Sequence, residues 1–190
     1  MNKKLPKEFR KLEMVTEPFR KRLYFVGILT KYLQDKLIVP VIVGGNAVEF
    51  YTFGSYATGD IDLVCQDTES VGKLLSSWGF KKTGRHWFSK DFDIAIEIPS
   101  SNLDVEERKN VAKVQIEGLD IYIIGIEDLI VDRLNSYVWW KYVRDGEWAT
   151  ELMAIHRKKI NWEYLRKRCK EEGTLNALNK LRRTGRKKQL

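Results

Sequence analysis

Val43-Gly44-Gly45, a spacer of fourteen residues, and then Asp60-Ile61-Asp62-Leu63 carry the strongest structural signal in the sequence. Just before it, Leu37-Ile38-Val39-Pro40-Val41-Ile42-Val43 is a β-branched run that reads as a buried strand. The glycine pair ends that strand. Its backbone can come close to a phosphate, and Asn46 to Tyr51 can form a short helix whose N-terminus points the same way. Ile61 to Cys65 reads as a second strand. Residues two apart on a strand share a face, with Cα atoms about 6.5 Å apart, so Asp60 and Asp62 project together. Like charges so placed repel unless a cation neutralises them. Hard carboxylate oxygens on one face suit Mg²⁺, which takes one or two carboxylates plus substrate phosphates. Two such ions, about 3.5–4 Å apart, would clamp the attacking and leaving oxygens of a phosphoryl transfer. Taken singly, Gly-Gly is usually a tight turn and Asp-x-Asp a polar strand start. Together and in this order, each beside an apolar strand, they point to a metal and phosphate site.

Outward from this stretch, the periodicity predicts further elements. Thr16-Glu17-Pro18 starts a helix, and Phe19, Leu23, Val26, Leu29 and Leu33 carry it to about residue 35. Residues 68–78 read as a helix ended by Gly79. Arg85–Ser89 and Phe92–Pro99 read as paired strands joined at Lys90-Asp91, and 111–116 with 121–124 as a hairpin turning at Glu117-Gly118. From Glu127 the period becomes helical, with helices expected over 127–142 and 145–157, from Asn161, and near 174–183. The fold expected is therefore α/β (α+β): a mixed β-sheet flanked by helices, then a helical C-terminal part. The divisions are 1–15 as a basic arm, 16–125 as the core, and 126–190 as the helical region with a basic tail.

A hydrophobic residue, Gly-Gly, a spacer and Asp-hydrophobic-Asp, here Val43-Gly44-Gly45 and Asp60-Ile61-Asp62, resembles the nucleotidyltransferase superfamily, which includes DNA polymerase beta and the minimal nucleotidyltransferases. The long spacer and Thr58 just before the pair resemble the branch of abortive-infection-type toxins, although Ser55-Tyr56-Ala57 carries no Arg. The resemblance implies a third carboxylate on a neighbouring strand. Asp93 and Glu97 alternate onto one face of Phe92–Pro99, and Glu97, between Ile96 and Ile98, is the preferred ligand. It also implies a basic residue on the helix after the sheet reaching the triphosphate. Arg133 is the candidate, a bidentate phosphate partner, with Lys141 behind it. The activity implied is transfer of a nucleoside monophosphate from an NTP, ATP among them, to an acceptor hydroxyl on RNA, tRNA or protein, releasing pyrophosphate. Asp60, Asp62 and Glu97 would bind two Mg²⁺ or Mn²⁺ ions, with Asp93 in reserve, while Gly44, Gly45 and Thr58 line the nucleotide. The other class of function is a non-catalytic toxin–antitoxin component or nucleic-acid-binding regulator of the same fold.

Composition limits the remaining choices. The 190 residues, 43% hydrophobic, support a real core. Net charge is +8, but residues 1–22 carry +5 and 157–190 carry +10, which leaves the intervening body at −7. Basic ends attract polyanions. Cys65 and Cys169 lie far apart and outside any Cys/His cluster, which excludes a disulfide framework and a structural zinc site. No stretch approaches the roughly 20 apolar residues of a membrane span, and the first residues lack the uninterrupted apolar run of a signal peptide. A cytoplasmic protein is expected. His86 reads as packing or surface, His156 as a helix-end residue, and the tryptophans at 139, 140 and 148 as helical core.

Overall fold

The computed structural model describes residues 5–100 and 102–187. The chain forms two compact units, Met1–Glu49 with Tyr56–Ile124 and Phe50–Ser55 with Gly125–Leu190.

The first unit is a mixed sheet with helices. In chain order it contains α1 (Phe9–Met14), α2 (Pro18–Leu33), β1 (Val41–Ile42), the start of α3 (Gly44–Tyr51), β2 (Asp60–Val64), α4 (Thr68–Ser77), β3 (Lys81–Thr83), β4 (His86–Ser89), β5 (Ile94–Ser100), α5 (Val105–Lys109), β6 (Ala112–Ile116) and β7 (Leu119–Ile123). The seven strands lie in the order β3-β4-β5-β2-β1-β7-β6. β1 runs parallel to β7, and β2 runs parallel to β5. The other neighbours are antiparallel.

Helix α2 forms where the sequence predicts it. The Glu17 carboxylate accepts from the backbone N–H groups of Phe19 and Arg20, and Pro18 occupies the first turn, where no donor is needed. Most of α2 from Arg22 onward is buried. Gly27 lets it approach β7 closely: a Cβ there would lie 2.8 Å from Leu119 Cβ. Residues 5–15, part of the stretch read as a basic arm, are held by Phe9 and Leu12, both buried. The Phe9 ring packs edge-on against Trp78 and Phe92, with centroids 5.2 and 4.7 Å away. Residues 1–4 of that arm lie outside the described residues.

Three expectations are corrected here. The strand expected over 37–43 is only Val41–Ile42. Leu37 takes a left-handed backbone at φ 57°, and Pro40 has no N–H to give a ladder. β3 was not anticipated, because all three of its residues are exposed and show no apolar alternation. Asp93 is not on the strand with Glu97: it lies in the turn before β5, with φ 53°.

The second unit is helical: α6 (Ile126–Trp139), α7 (Val143–Ile155), α8 (Trp162–Glu171) and α9 (Leu175–Lys187). Asn161 caps α8, its side chain accepting from the Tyr164 N–H. Gly146 allows close packing on the ring of Tyr137, 2.7 Å from where a Cβ would sit. Buried Asp128 accepts from the Tyr164 hydroxyl at 2.7 Å and lies 3.5 Å from Arg168 Nε. His156 ends α7 as expected, with Nε2 2.7 Å from the Tyr51 carbonyl. Trp139 and Trp140 are not core residues. They are 58% and 68% exposed at the end of α6, because the helix stops there and the chain turns through left-handed Lys141. The part of the basic tail beyond residue 187 lies outside the described residues. Among the described residues, no helix is long and apolar enough to cross a membrane.

Candidate functional site

The first four residues of β2 alternate: Ile61 and Leu63 are fully buried, while Asp60 and Asp62 are half-buried on the opposite face. The parallel pairing with β5 sets Asp62 directly beside Glu97 and Asp60 beside Ala95. Opposed residues on neighbouring strands share a face, so Glu97 joins the two aspartates. One carboxylate oxygen from each of Asp60, Asp62 and Glu97 lies within 4.8 Å of the others. Among the described residues, this is the one group of three or more His, Cys, Asp or Glu side chains brought so close. Three hard anionic oxygens on one sheet face form a donor set that fits Mg²⁺ or Mn²⁺ and does not fit a soft metal.

The glycine turn is built against these carboxylates. Gly44 has φ +55°, and a Cβ there would lie 2.1 Å from Asp62 Oδ2. Gly45 N–H donates to that same oxygen at 3.0 Å. A Cβ on Gly45 would lie 3.0 Å from Thr58 Oγ1, and the Thr58 hydroxyl donates to Asp60 Oδ1 at 3.0 Å. Gly44, Gly45 and Thr58 therefore position the acidic pair as well as bordering it.

A second layer was not apparent from the sequence. The Asn46 amide donates to the Asp60 carbonyl, and Asn46 Oδ1 accepts from Arg22 Nε at 3.0 Å. Arg22 also pairs with Glu49 at 2.6 Å, with both side chains under 10% exposed. A buried ion pair thus joins α2 to α3, and Asn46 links it to β2. On the other side, Glu97 is 2.7 Å from Arg85 Nε and 3.7 Å from His86 Nδ1. Arg85 is 65% exposed, so an external guanidinium touches the third carboxylate. The register His86↔Glu97 places the histidine on the same face. Only the strand pairing reveals this, since Arg85 and Glu97 are separated by a turn.

Asp93 lies outside the trio and lines a groove with Thr58 and Gly59. Arg133 and Lys141 belong to the second unit. There the Arg133 guanidinium is taken by Asp132 and Asp145, at 2.5 and 3.0 Å. Lys141 Nζ donates to the Val138 carbonyl. Both therefore have local structural partners within the helices.

Comparison with known proteins agrees with this geometry. Residues 25–187 match a family described as nucleotidyltransferases of unknown function (DUF6036). No curated protein matches in sequence. Among solved structures, an antigenic nucleotidyltransferase-like protein from Paracoccidioides brasiliensis superposes with TM-score 0.52 at 14% identity, covering 85% of this chain and 94% of that one. It shares the fold. The antibiotic-resistance factor ANT(2″)-Ia, solved with adenylyl-2″-tobramycin, matches more loosely, with TM-score 0.46, 14% identity, and coverage of 89% of this chain and 99% of that one.

Proposed function

From the premise that the chain belongs to this nucleotidyltransferase family, we propose that it is a metal-dependent enzyme. It moves a nucleoside monophosphate from an NTP to an acceptor hydroxyl on RNA or protein. The observation that carries the reading is the convergence of Asp60, Asp62 and Glu97 within 4.8 Å, with a glycine turn that admits no Cβ packed on Asp62.

Asp60, Asp62 and Glu97 would hold Mg²⁺ or Mn²⁺, which when bound neutralises phosphate charge and aligns the oxygens of the displacement. The chain's own residues do the rest. The Gly44-Gly45 turn lets a triphosphate approach closely beside the start of α3, with the small positive end of the helix behind it. Thr58 and the Gly45 N–H hold the two aspartates at fixed angles. That pre-organisation is the chief way a protein accelerates this reaction. Glu97 accepts the proton of the acceptor hydroxyl. The acceptor oxygen then bonds to the α-phosphorus, the bond from that phosphorus to the β-bridging oxygen breaks, and pyrophosphate leaves.

The test is incubation with each labelled NTP, Mg²⁺ or Mn²⁺, and total RNA or the protein's own chain as acceptor. Label transfer that disappears in Asp60→Asn and Asp62→Asn is expected. Absence of transfer together with absence of Mn²⁺ binding by calorimetry would sink the reading in favour of a non-catalytic regulator.

A further inference from the structure

The strands around the carboxylates run β4-β5-β2-β1. The glycine turn follows β1, so a triphosphate held by Gly44 and Gly45 lies on the β1 side of the aspartates. Attacking and leaving oxygens are roughly in line across the phosphorus. The acceptor must therefore approach from the β5–β4 side, past Glu97.

That side of the sheet carries its own set of groups. The registers Asp60↔Ala95↔Phe88↔Lys81 and Asp62↔Glu97↔His86↔Thr83 bring Phe88, Lys81, His86 and Thr83 onto the carboxylate face. The alternating positions Trp87, Ser89, Ile94 and Ile96 are buried on the other face. Phe88 is 46% exposed and lies two strand spacings, about 10 Å, from Asp60. The small side chain of Ala95 between them leaves a groove of about 680 Å³, bordered by Glu13, Lys21, Arg22, Thr58, Phe88 and Asp93. Glu13 and Asp93 balance Lys21 and Arg22 along the groove, and the acids accept hydrogen bonds from sugar hydroxyls and base amines. The groove therefore suits a nucleoside. Phosphates would find their counter-charge on the hairpin beyond. Residues 81–90 hold Lys81, Arg85 and Lys90, besides Lys82 on the Trp87 side, with no acid, inside a stretch (23–156) that carries 13 Lys and Arg against 20 Asp and Glu.

Resting on the transfer reading above, we propose that the β3–β4 face is the acceptor platform for the 3′-terminal nucleotide of a single-stranded RNA. The terminal base stacks on Phe88, the ribose occupies the groove over Ala95, and its hydroxyl reaches Glu97 and Asp60. The upstream phosphates run over the basic hairpin. An aromatic ring on an open sheet face, flanked by cations, is a recurring way to hold an unpaired base.

The test uses the full chain and a short unstructured RNA with a 5′ fluorophore and a free 3′-hydroxyl. Binding is read by anisotropy, and transfer by labelled NTP with Mn²⁺. Phe88→Ala is expected to weaken binding about tenfold, the order of one lost base–aromatic stack, with a matching loss of transfer to that RNA. Phe88→Tyr should restore both. Asp60→Asn should keep the RNA affinity and lose transfer. Unchanged RNA affinity in Phe88→Ala would overturn the platform and leave the transfer reading standing, as would label passing to protein equally well in both forms. Phe88-dependent RNA binding with no NTP label moved under any condition would instead overturn the transfer reading, and with it the acceptor role.

Discussion

Replacing Gly44 by alanine tests the link between the glycine turn and the acidic pair. The added Cβ would lie 2.1 Å from Asp62 Oδ2, 2.7 Å from Cγ and 3.0 Å from Cβ. The two closest atoms swing away when Asp62 turns about χ1, and the contact with its Cβ is only tight, so the collision is relieved mainly by turning Asp62 away rather than by moving β2. The turn breaks the bond from Gly45 N–H to Asp62 Oδ2, worth about 1 kcal/mol. A non-glycine residue at φ +55° costs about 1–2 kcal/mol more. Stability should therefore fall by about 2–3 kcal/mol, a shift in Tm of roughly 4–12 °C for a chain of this size. Activity should fall much further, because displacing a metal-binding oxygen by about 1 Å costs on the order of 100-fold. Gly118→Ala supplies the comparison. Gly118 has φ +79°, and nothing lies within 4 Å of its added Cβ, so the substitution imposes the backbone strain without touching Asp62. Thermal melts, Mn²⁺ calorimetry and label transfer would be measured on both variants. If Gly44→Ala keeps the Mn²⁺ affinity and the activity of Gly118→Ala, the glycine turn does not position Asp62 and the reasoning fails.

Other perturbations have equally definite outcomes. Arg85→Ala frees Glu97 from its exposed cation and should tighten Mn²⁺ binding by up to about fivefold, the ceiling for a surface ion pair; calorimetry showing weaker binding would mean Arg85 helps to position Glu97. Glu49→Ala leaves the Arg22 guanidinium buried and should cost about 3–5 kcal/mol in denaturant melts, whereas the double change Arg22→Met with Glu49→Leu should cost less than that single substitution. Burial pushes the Cys65 thiol up to about 12 and the Cys169 thiol up to about 11. Each folded thiol stays protonated while its unfolded counterpart ionises from the ordinary value of 9.0. The unfolded state then binds fewer protons, so this contribution to stability falls as pH rises from about 9 toward 11–12. Thiol reagents at pH 8 should label neither cysteine until the protein is unfolded, and rapid labelling of the native protein would contradict their burial.

The features legible in the sequence were those that depend on short repeats. Asp60 and Asp62 could be placed on one face because period two is a local property of any strand, and Pro18, Asn161 and Gly79 mark helix ends through chemistry confined to a few residues. The choice of Glu97 used a local signal too, a carboxylate between two isoleucines in an apolar run. The same alternation misled for Asp93, because it presumes an unbroken strand and the chain turns at φ 53° just there. The tryptophans at 139 and 140 failed for a related reason: helical period says which face a residue occupies, not where the helix stops.

What could not be read depends on which strands become neighbours. Nothing near Arg85 or His86 in sequence announces a contact with Glu97; both come to it through the pairing of β4 with β5. Arg22, Asn46 and Glu49 likewise look like ordinary polar helix residues until α2 packs behind α3. The acidic pair was therefore visible as a motif, but its support is a property of topology. β2 between β5 and β1 supplies the third carboxylate on one side and the glycine turn on the other. For the proposed transfer this topology would set a direction, with phosphates on the β1 side and the incoming hydroxyl on the β4 side. A protein with the same Gly-Gly and Asp-x-Asp motifs but another strand order would offer its carboxylates to a different approach. For that reason Phe88, two strands from Asp60 and unremarkable in the sequence, is the residue on which the identity of the acceptor depends.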